Sequence, residues 1–363
     1  MSATARRRAA LQKVLADQGL DALLVTDLIN IRYLTGFTGS NAALLVRVVG
    51  ESVFCTDGRY ETQSAAEVPD LTRRIDRPCD LALLAAAGGR VGFEAALVSV
   101  AAHRDQVKAA ADAELVETVD LVEQLRAVKD EGEIDSLRTA CAVADRALAD
   151  LISDGGLRPG RTEREVGLDL DERMRRLGAS DPAFETIVAA GANSAIPHHR
   201  PTSAPLRRGD LLKLDFGAAV GGYHSDMTRT FVLGNPADWQ VEIYQLVAEA
   251  QRAGREAAVV GAIGGDVDQA ARSVITDAGY GPQFSHGLGH GIGLQVHEAP
   301  SLARAQPGII RADMCVTVEP GVYLPGRGGV RIEDSGVVRA PENDQGVPGY
   351  EVLTLTSRDL VVL

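Results

Sequence analysis

The stretch LLKLDFGAAVGGYHSDMTRT (residues 211–230) decides how the rest of this chain is read. Leu212, Leu214 and Phe216 alternate with Lys213, Asp215 and Gly217, the period of a β-strand. The return arm from Tyr223 to Val232 is rich in β-forming residues, and Gly221-Gly222 marks a turn. Folded about Val220 and Gly221, the hairpin sets Asp215 directly opposite Asp226. Directly opposed side chains have Cβ atoms ~4.5–5.5 Å apart, where like charges destabilise the pair. Two carboxylates so placed share a proton, hold a cation between them, or lie on a solvated edge, and the hairpin alone leaves all three open.

A second stretch, MCVTVEPGVYLPGRGGVRIEDSGVV (314–338), repeats the oddity. Val316 and Val318 alternate with Thr317 and Glu319, and Val330 and Ile332 with Arg331 and Glu333. The loop Pro325–Gly329 lies midway between the two glutamates, so this hairpin also brings two carboxylates onto neighbouring strands. Glutamate beside valine-rich strands is a poor pattern for a solvated edge. Histidines concentrate in the same half of the chain. His198-His199 sit in a proline-bounded loop, SAIPHHRPT, which on its own reads as surface sooner than as site. FSHGLGHGIGLQVHEAP (284–300) carries His286, His290 and His297. His286 and His290 have i, i+4 spacing, but Gly287, Gly289, Gly291 and Gly293 make a helix improbable. The run predicts extended backbone stripped of side chains so that something approaches closely. A phosphate loop is the alternative, although neither the glycine spacing nor a terminal Lys-Ser/Thr supports it.

Asp215, Asp226, Glu319 and Glu333 carry four negative charges, which two divalent cations neutralise; without metal such a cluster takes up protons or spreads apart. Oxygen-rich ligation with one imidazole suits Mn²⁺, Co²⁺, Zn²⁺ or Fe²⁺ better than Ca²⁺ or Mg²⁺. Two such ions hold a bridging hydroxide and polarise a carbonyl, so the reaction class is metal-assisted hydrolysis.

Around this centre the chain reads as two domains, as its 363 residues lead one to expect. Residues 1 to 127 alternate helix and strand signals. A helix through Leu11 and Leu15 ends at Gly19; strands are expected at 22–26, 42–49, 52–56, 90–95 and 114–119, with a helix around 101–111. TDLINIRYLTGFTGSN (26–41) reads as an irregular, glycine-punctuated loop. From residue 128 helices interleave with antiparallel strands. Ile134, Leu137, Cys141, Leu148 and Leu151 recur at helical spacing up to Gly155-Gly156. Thr162 and Glu165 form a capping box for a helix that buries Val166, Leu170, Met174 and Leu177. A further helix follows Pro236, and another runs from Asp266 to near Gly279.

The net charge of −13 and pI near 5.1 argue against nucleic acid or an anionic membrane as partner. No segment approaches the ~18 uninterrupted apolar residues of a membrane span. The start, MSATARRRAALQKVLADQGL, reads as an amphipathic helix rather than a secretory signal. Cys55, Cys79, Cys141 and Cys315 lack zinc or redox spacing, which points to reduced thiols in a cytoplasmic protein.

LDFGA with SDMTRT, HGLGHGIGLQVHE, VEPGVY and RIED occur in the order and at the spacing of one known family. The chain resembles, over essentially its whole length, the pita-bread metallopeptidases, and among them the Xaa-Pro peptidases (aminopeptidase P and prolidase), with the cytoplasmic actinobacterial enzymes as the nearest group. The resemblance implies an α/β creatinase-like N-terminal domain over 1–127 and an α+β pita-bread catalytic domain over 128–363. It implies two divalent metal ions, manganese first and cobalt, zinc or iron as alternatives. Asp215 would chelate one ion, His290 and Glu319 would bind the other, and Asp226 and Glu333 would bridge both. His198, His286 and His297 would contact substrate and stabilise the oxyanion, with Tyr323 and Arg331 as neighbours of the site. The substrates implied are peptides with proline at the second position. TDLINIRYLTGFTGSN and TDGRYETQ (56–63) resemble the domain that such enzymes place over a partner subunit, which implies a homodimer. Proline itself gives the reaction its character: the Xaa-Pro amide has no N–H and a fixed φ, so general peptidases fit it badly.

One departure stands out. Prolidases restricted to dipeptides place an arginine shortly after the His-Glu pair, whereas here His297-Glu298 is followed by Ala299, Pro300 and Ser301. That favours aminopeptidase P activity on longer peptides. Dipeptidase activity is the alternative, with Arg200 or Arg331 as substitute clamps. A non-catalytic pita-bread binding module, a methionine aminopeptidase and a metal-free creatinase-like enzyme are further alternatives. Retention of all five ligand positions opposes the first and third, and the extra domain and histidines oppose the second.

Overall fold

The computed structural model describes residues 1–341 and 349–363. The chain divides into two compact units, Met1–Arg126 and Ala127–Leu363. In the first unit β1 (Ala22–Val25), β2 (Ala42–Arg47), β3 (Val53–Thr56), β4 (Thr72–Ile75), β5 (Gly89–Glu94) and β6 (Ala113–Thr118) form one mixed sheet in the order β4-β3-β2-β1-β5-β6. Central β1 is buried along its whole length, which is why ALLV reads as an unbroken apolar run. Helix α1 (Ala3–Asp17) buries Leu11 and Leu15 and ends as expected at Gly19, whose φ of 66° lets the Leu20 N–H reach back to the Leu15 carbonyl at 3.0 Å.

The 26–41 segment is not an irregular loop. It contains α2 (Leu28–Thr35), capped by the Asp27 carboxylate on the Asn30 N–H and closed by Gly36 at φ 84°. Ile31 and Leu34 are its fully buried apolar residues. Polar Asn30 and Arg32 between them hide the helical period, and Asn30 is buried because its side-chain amide donates to Glu94 and Glu123. Three short helices, α3 (Glu61–Glu67), α4 (Cys79–Leu84) and α6 (Leu121–Arg126), and the mostly exposed β4 also escaped the reading; each is too short to display a period. Helix α5 (Val100–Ala109) is where it was expected.

The second unit backs antiparallel sheets with two pairs of long helices. Helices α7 (Glu131–Ser153) and α8 (Glu163–Arg176) share one core with strands β8 (Ile187–Ala190), β9 (Leu211–Phe216) and β12 (Met227–Val232), which form a sheet in the order β12-β9-β8. Helices α9 (Asp238–Ala257) and α10 (Gly264–Asp277) share a second core with β14 (Glu298–Leu302), β15 (Cys315–Val318) and β18 (Asp334–Val338), and β13 (Gly289–Gly291) pairs with the first two of these. These four strands and β19 (Tyr350–Val352) make a sheet in the order β14-β13-β15-β18-β19, beside a ribbon of β16 (Gly321–Leu324) and β17 (Gly328–Arg331). The capping box of α8 is present in full: Thr162 Oγ1 accepts from the Glu165 N–H at 3.2 Å, and the Glu165 carboxylate accepts from the Thr162 N–H at 2.7 Å. Val166, Leu170 and Met174 are buried, but Leu177 falls at the C-cap and stays 39% exposed, contrary to the sequence reading. Helix α10 begins at Gly264, two residues ahead of Asp266.

The two hairpins differ in how well their registers were foreseen. In the first, β10 (Ala218–Val220), which also pairs with β7 (Asp181–Pro182), and β11 (Tyr223–His224) meet at a two-residue turn, Gly221-Gly222, with φ of 59° and 86°. Both central residues at positive φ define a type I′ turn, which only glycine takes without strain. The fold line therefore runs between Gly221 and Gly222, so Asp215 pairs with Thr228 and not with Asp226. A shift of two keeps every side chain on its face, and Asp226 lies diagonally across from Asp215. In the second hairpin Gly321 pairs with Arg331 and Val318 with Asp334. Glu319 and Glu333 occupy the gap between these ladders, opposite one another as expected.

Candidate metal centre

The two hairpins are stitched together by the residues that flank the acids. Thr228 Oγ1 donates to Glu333 Oε2 at 2.6 Å, Thr230 Oγ1 to the Arg331 carbonyl at 2.9 Å, and the buried Arg229 guanidinium to Asp334 at 2.8 Å. Side chains from strands distant in sequence thereby converge. Ligand atoms of Asp226, His290 and Glu333 all lie within 4.8 Å of one another. His290 Nε2 is 3.3 Å from Glu319 Oε1 and 3.7 Å from Asp226 Oδ2. His290 Nδ1 lies 3.0 Å from the Gly291 carbonyl, which can only accept, so Nδ1 donates there and leaves Nε2, set among the carboxylates, as the atom that would bind a cation. Asp215 Oδ2 meets Arg331, while Asp215 Oδ1 is buried without a hydrogen-bond partner.

Crowding of acids sets the electrostatics. Burial first, then Glu333, Asp215 and Glu319, pushes the Asp226 carboxyl well above the usual carboxylate range. Burial, then Glu319 and Asp215, does the same to Glu333. Burial works to raise Glu319 too, but the His290 hydrogen bond and positive neighbours outweigh it and hold that carboxyl at about 2. An orphaned buried carboxylate oxygen, acids driven to take up protons and an imidazole nitrogen set among them together make a donor set that fits divalent cations.

A cleft of about 510 Å³ opens on this cluster, lined by Asp215, Asp226, His290, Glu319 and Glu333 together with His198, His286, His297 and Arg331. Tyr323 stands behind it, 95% buried, with its hydroxyl 2.8 Å from both His286 Nε2 and Arg331 Nη1. Burial lowers the pKa of His286, and burial with His290 lowers that of His297, so both rings are neutral at pH 7. His286 Nδ1 lies 2.8 Å from the Gly287 carbonyl and must donate to it; its Nε2 then accepts the Tyr323 O–H. His297 packs edge-on against His290 with ring centroids 4.4 Å apart. His198 is exposed at the cleft wall. The structure thus brings all ten sequence-predicted residues to one place. Sequence reasoning passed over Glu163, His199 and Lys213, which hold the His198 loop from beneath; Glu163 reads in sequence as an ordinary acid in a first helical turn.

The glycine run is explained by close backbones. A Cβ on Gly289 would lie 2.0 Å from the Thr317 carbonyl oxygen, and one on Gly291 would lie 2.1 Å from that of Ala299. Gly289→Ala must therefore displace β13 and with it His290. We expect a loss of about 1–3 kcal/mol of stability and weaker metal retention, read by urea unfolding and by metal content after dialysis.

A buried acid-and-imidazole cluster at the base of an open cleft defines a metal-dependent hydrolase. The chain belongs to metallopeptidase family M24, whose family model matches residues 135–340, and it carries a Creatinase/Prolidase N-terminal domain at residues 7–128. Its fold is accordingly a creatinase-like α/β domain followed by an α+β pita-bread domain. A solved Xaa-Pro dipeptidase from Bacillus anthracis is 36% identical and superposes with a TM-score of 0.93, covering 99% of this chain and 100% of that one. An X-Pro aminopeptidase from Thermotoga maritima is 34% identical with a TM-score of 0.87, covering 98% and 99%. The Xaa-Pro dipeptidase of Pyrococcus horikoshii is 35% identical across 94% of this chain and 95% of its own length. Among the described residues no helix is long and apolar enough to cross a membrane.

Proposed function

We propose that this chain hydrolyses the Xaa-Pro bond at the N-terminus of peptides, using two divalent ions, manganese foremost, held by Asp215, Asp226, His290, Glu319 and Glu333. The observation that carries the reading is the gathering of three buried carboxylates, Asp215, Asp226 and Glu333, with partly buried Glu319 around the His290 imidazole at the floor of an open cleft. Bound ions would supply Lewis acidity at the scissile carbonyl and an activated water at neutral pH. The protein's own groups do the rest. The acidic floor attracts the substrate's free α-ammonium. His198 and His297, whose ring nitrogens make no hydrogen bond among the described residues, are placed to donate to the developing oxyanion. His286, Tyr323 and Arg331 form a hydrogen-bonded row that fixes Asp215 from behind.

Substrate length follows from the cleft mouth. Arg331 is 3% exposed and committed to Asp215, Tyr323 and Thr228, so it is no clamp for a substrate carboxylate. Arg200 lines the mouth, highly exposed and paired with Glu185 at 3.2 Å. Ser301 also lines the cleft, and among the described residues no arginine other than Arg200 and Arg331 does, which favours aminopeptidase P activity; Arg200 keeps dipeptidase activity as the second reading. The metal-loaded enzyme is expected to cleave an Xaa-Pro-Yaa tripeptide at least as fast as the Xaa-Pro dipeptide. Cleavage of the dipeptide alone would establish the second reading, and turnover of neither would remove both. A homodimer belongs to this proposal through the kinship of the N-terminal domain. A cytoplasmic setting is supported by four buried, unbridged cysteines.

A further inference from the structure

The loop that carries His198 is held by two buried polar side chains, Glu163 and Lys213. Glu163, the first residue of α8, is fully buried, and five donors from the loop converge on its carboxylate. Oε1 accepts from the Ala190 N–H and the Asn193 side-chain amide, both at 2.9 Å. Oε2 accepts from the Thr202 N–H at 3.0 Å, the Thr202 hydroxyl at 2.6 Å and His199 Nε2 at 2.8 Å. Although burial opposes ionisation, the bonds from Thr202, Asn193 and His199 hold the Glu163 carboxyl below its usual range. An ionised carboxylate only accepts, so His199 donates from Nε2 and its ring is fixed beside the cleft that it lines. Lys213, also fully buried, donates to the carbonyls of Ile196 at 2.7 Å and Pro197 at 3.3 Å, the two residues ahead of His198. Arg331 adds a third grip on the Pro197 carbonyl, at 3.3 Å.

Burying an isolated carboxylate or ammonium costs several kcal/mol unless it is fully hydrogen-bonded. Here the Glu163 carboxylate and the Lys213 amine are both spent on one loop, in which exposed His198 has no hydrogen-bonded partner of its own among the described residues. We propose that Glu163 and Lys213 are positioning residues for the reaction, acting through the 190–202 loop to hold His198 and His199 where the substrate carbonyl passes. This deepens the peptidase reading and rests on it. The glutamine of Glu163→Gln keeps the size of the side chain but offers one acceptor oxygen and an NH₂ group that opposes the Thr202 and His199 donors.

The test uses the full-length, manganese-loaded enzyme. Misplacing a group that meets substrate by an ångström costs up to about 10²-fold in rate, so Glu163→Gln is expected to lower kcat about 10- to 100-fold. KM and metal content should stay close to wild type. In a His198→Ala, His199→Ala background the same change should have less than about a twofold effect, because the groups it positions are gone. Equal losses in both backgrounds, or wild-type kcat in Glu163→Gln, overturn the proposal. Thr202→Val, which deletes one donor and leaves the charge, should give a smaller loss in the same direction and carries the test if Glu163→Gln does not fold. Nitrogen-15 histidine spectra provide a readout separate from turnover, recorded on a diamagnetic zinc-loaded sample. A slowly exchanging His199 N–H signal should be present in wild type and lost in Glu163→Gln; its persistence contradicts the anchoring. If the wild-type enzyme fails on every Xaa-Pro peptide, the peptidase reading falls while the spectra still decide the anchoring.

Discussion

Replacing Asp226 by alanine is expected to lower turnover of Xaa-Pro peptides by at least about 10³-fold, equivalent to ~4 kcal/mol of transition-state stabilisation. Asp226 is 5% exposed and faces Glu333, Asp215, Glu319 and His290. In the proposed centre it is one of two carboxylates that touch both ions, so its removal both loosens the ions and alters what remains of their surroundings. The loss should persist at saturating manganese. It should come without unfolding, because alanine removes a buried charge that burial and three acids already disfavour. Turnover within a few-fold of wild type would mean that the cluster is structural.

Stripping the metal should abolish activity and leave a protein whose stability depends on pH in a defined direction. Asp226 and Glu333 are raised in the metal-free fold by burial and by their acidic neighbours. A carboxyl raised on folding stabilises the native state below its unfolded value, near pH 4, and loses that contribution as pH climbs through the raised folded value. Glu319 behaves oppositely: held at about 2 against a usual 4.5, it contributes above pH 4.5 and loses that contribution as pH falls toward 2. The metal-free protein is therefore expected to be most stable in mild acid and to show a falling Tm from about pH 5 to pH 8. Added Mn²⁺ should restore the Tm by a margin that grows with pH, since ions neutralise the acids that protons no longer do. A Tm that rises or stays level over that range, with no response to manganese, would show that these carboxylates do not repel one another.

How much of this was legible in the sequence follows from what each element depends on. The gathering of acids was legible because paired strands repeat with a period of two, so an acid on a valine-rich strand declares its own misplacement. The register of the first hairpin was missed by two because the turn centre depends on which two of three residues take positive φ, and GG could sit on either side of the fold line. No side chain changed face, so the site survived the error. Helix α2 was hidden because its buried Asn30 answers to Glu94 and Glu123, contacts far along the chain that no local period reveals. Glu163 was invisible for the same reason. At the first position of a capped helix an acid satisfies local rules, and only the folded loop from Ala190 to Thr202 shows that its carboxylate is used elsewhere. The glycines from 287 to 293 were read correctly as a place of close approach, but what approaches is neighbouring backbone, that of Thr317 and Ala299 among it.

The claim on which the rest depends is that acids from two hairpins meet in order to hold cations. Anomalous diffraction at the manganese edge, from crystals of manganese-loaded protein, tests it most directly. The account predicts two peaks, both among Asp215, Asp226, His290, Glu319 and Glu333, and both absent after Asp226→Ala. Peaks elsewhere, or none at a manganese concentration that supports turnover, would contradict it.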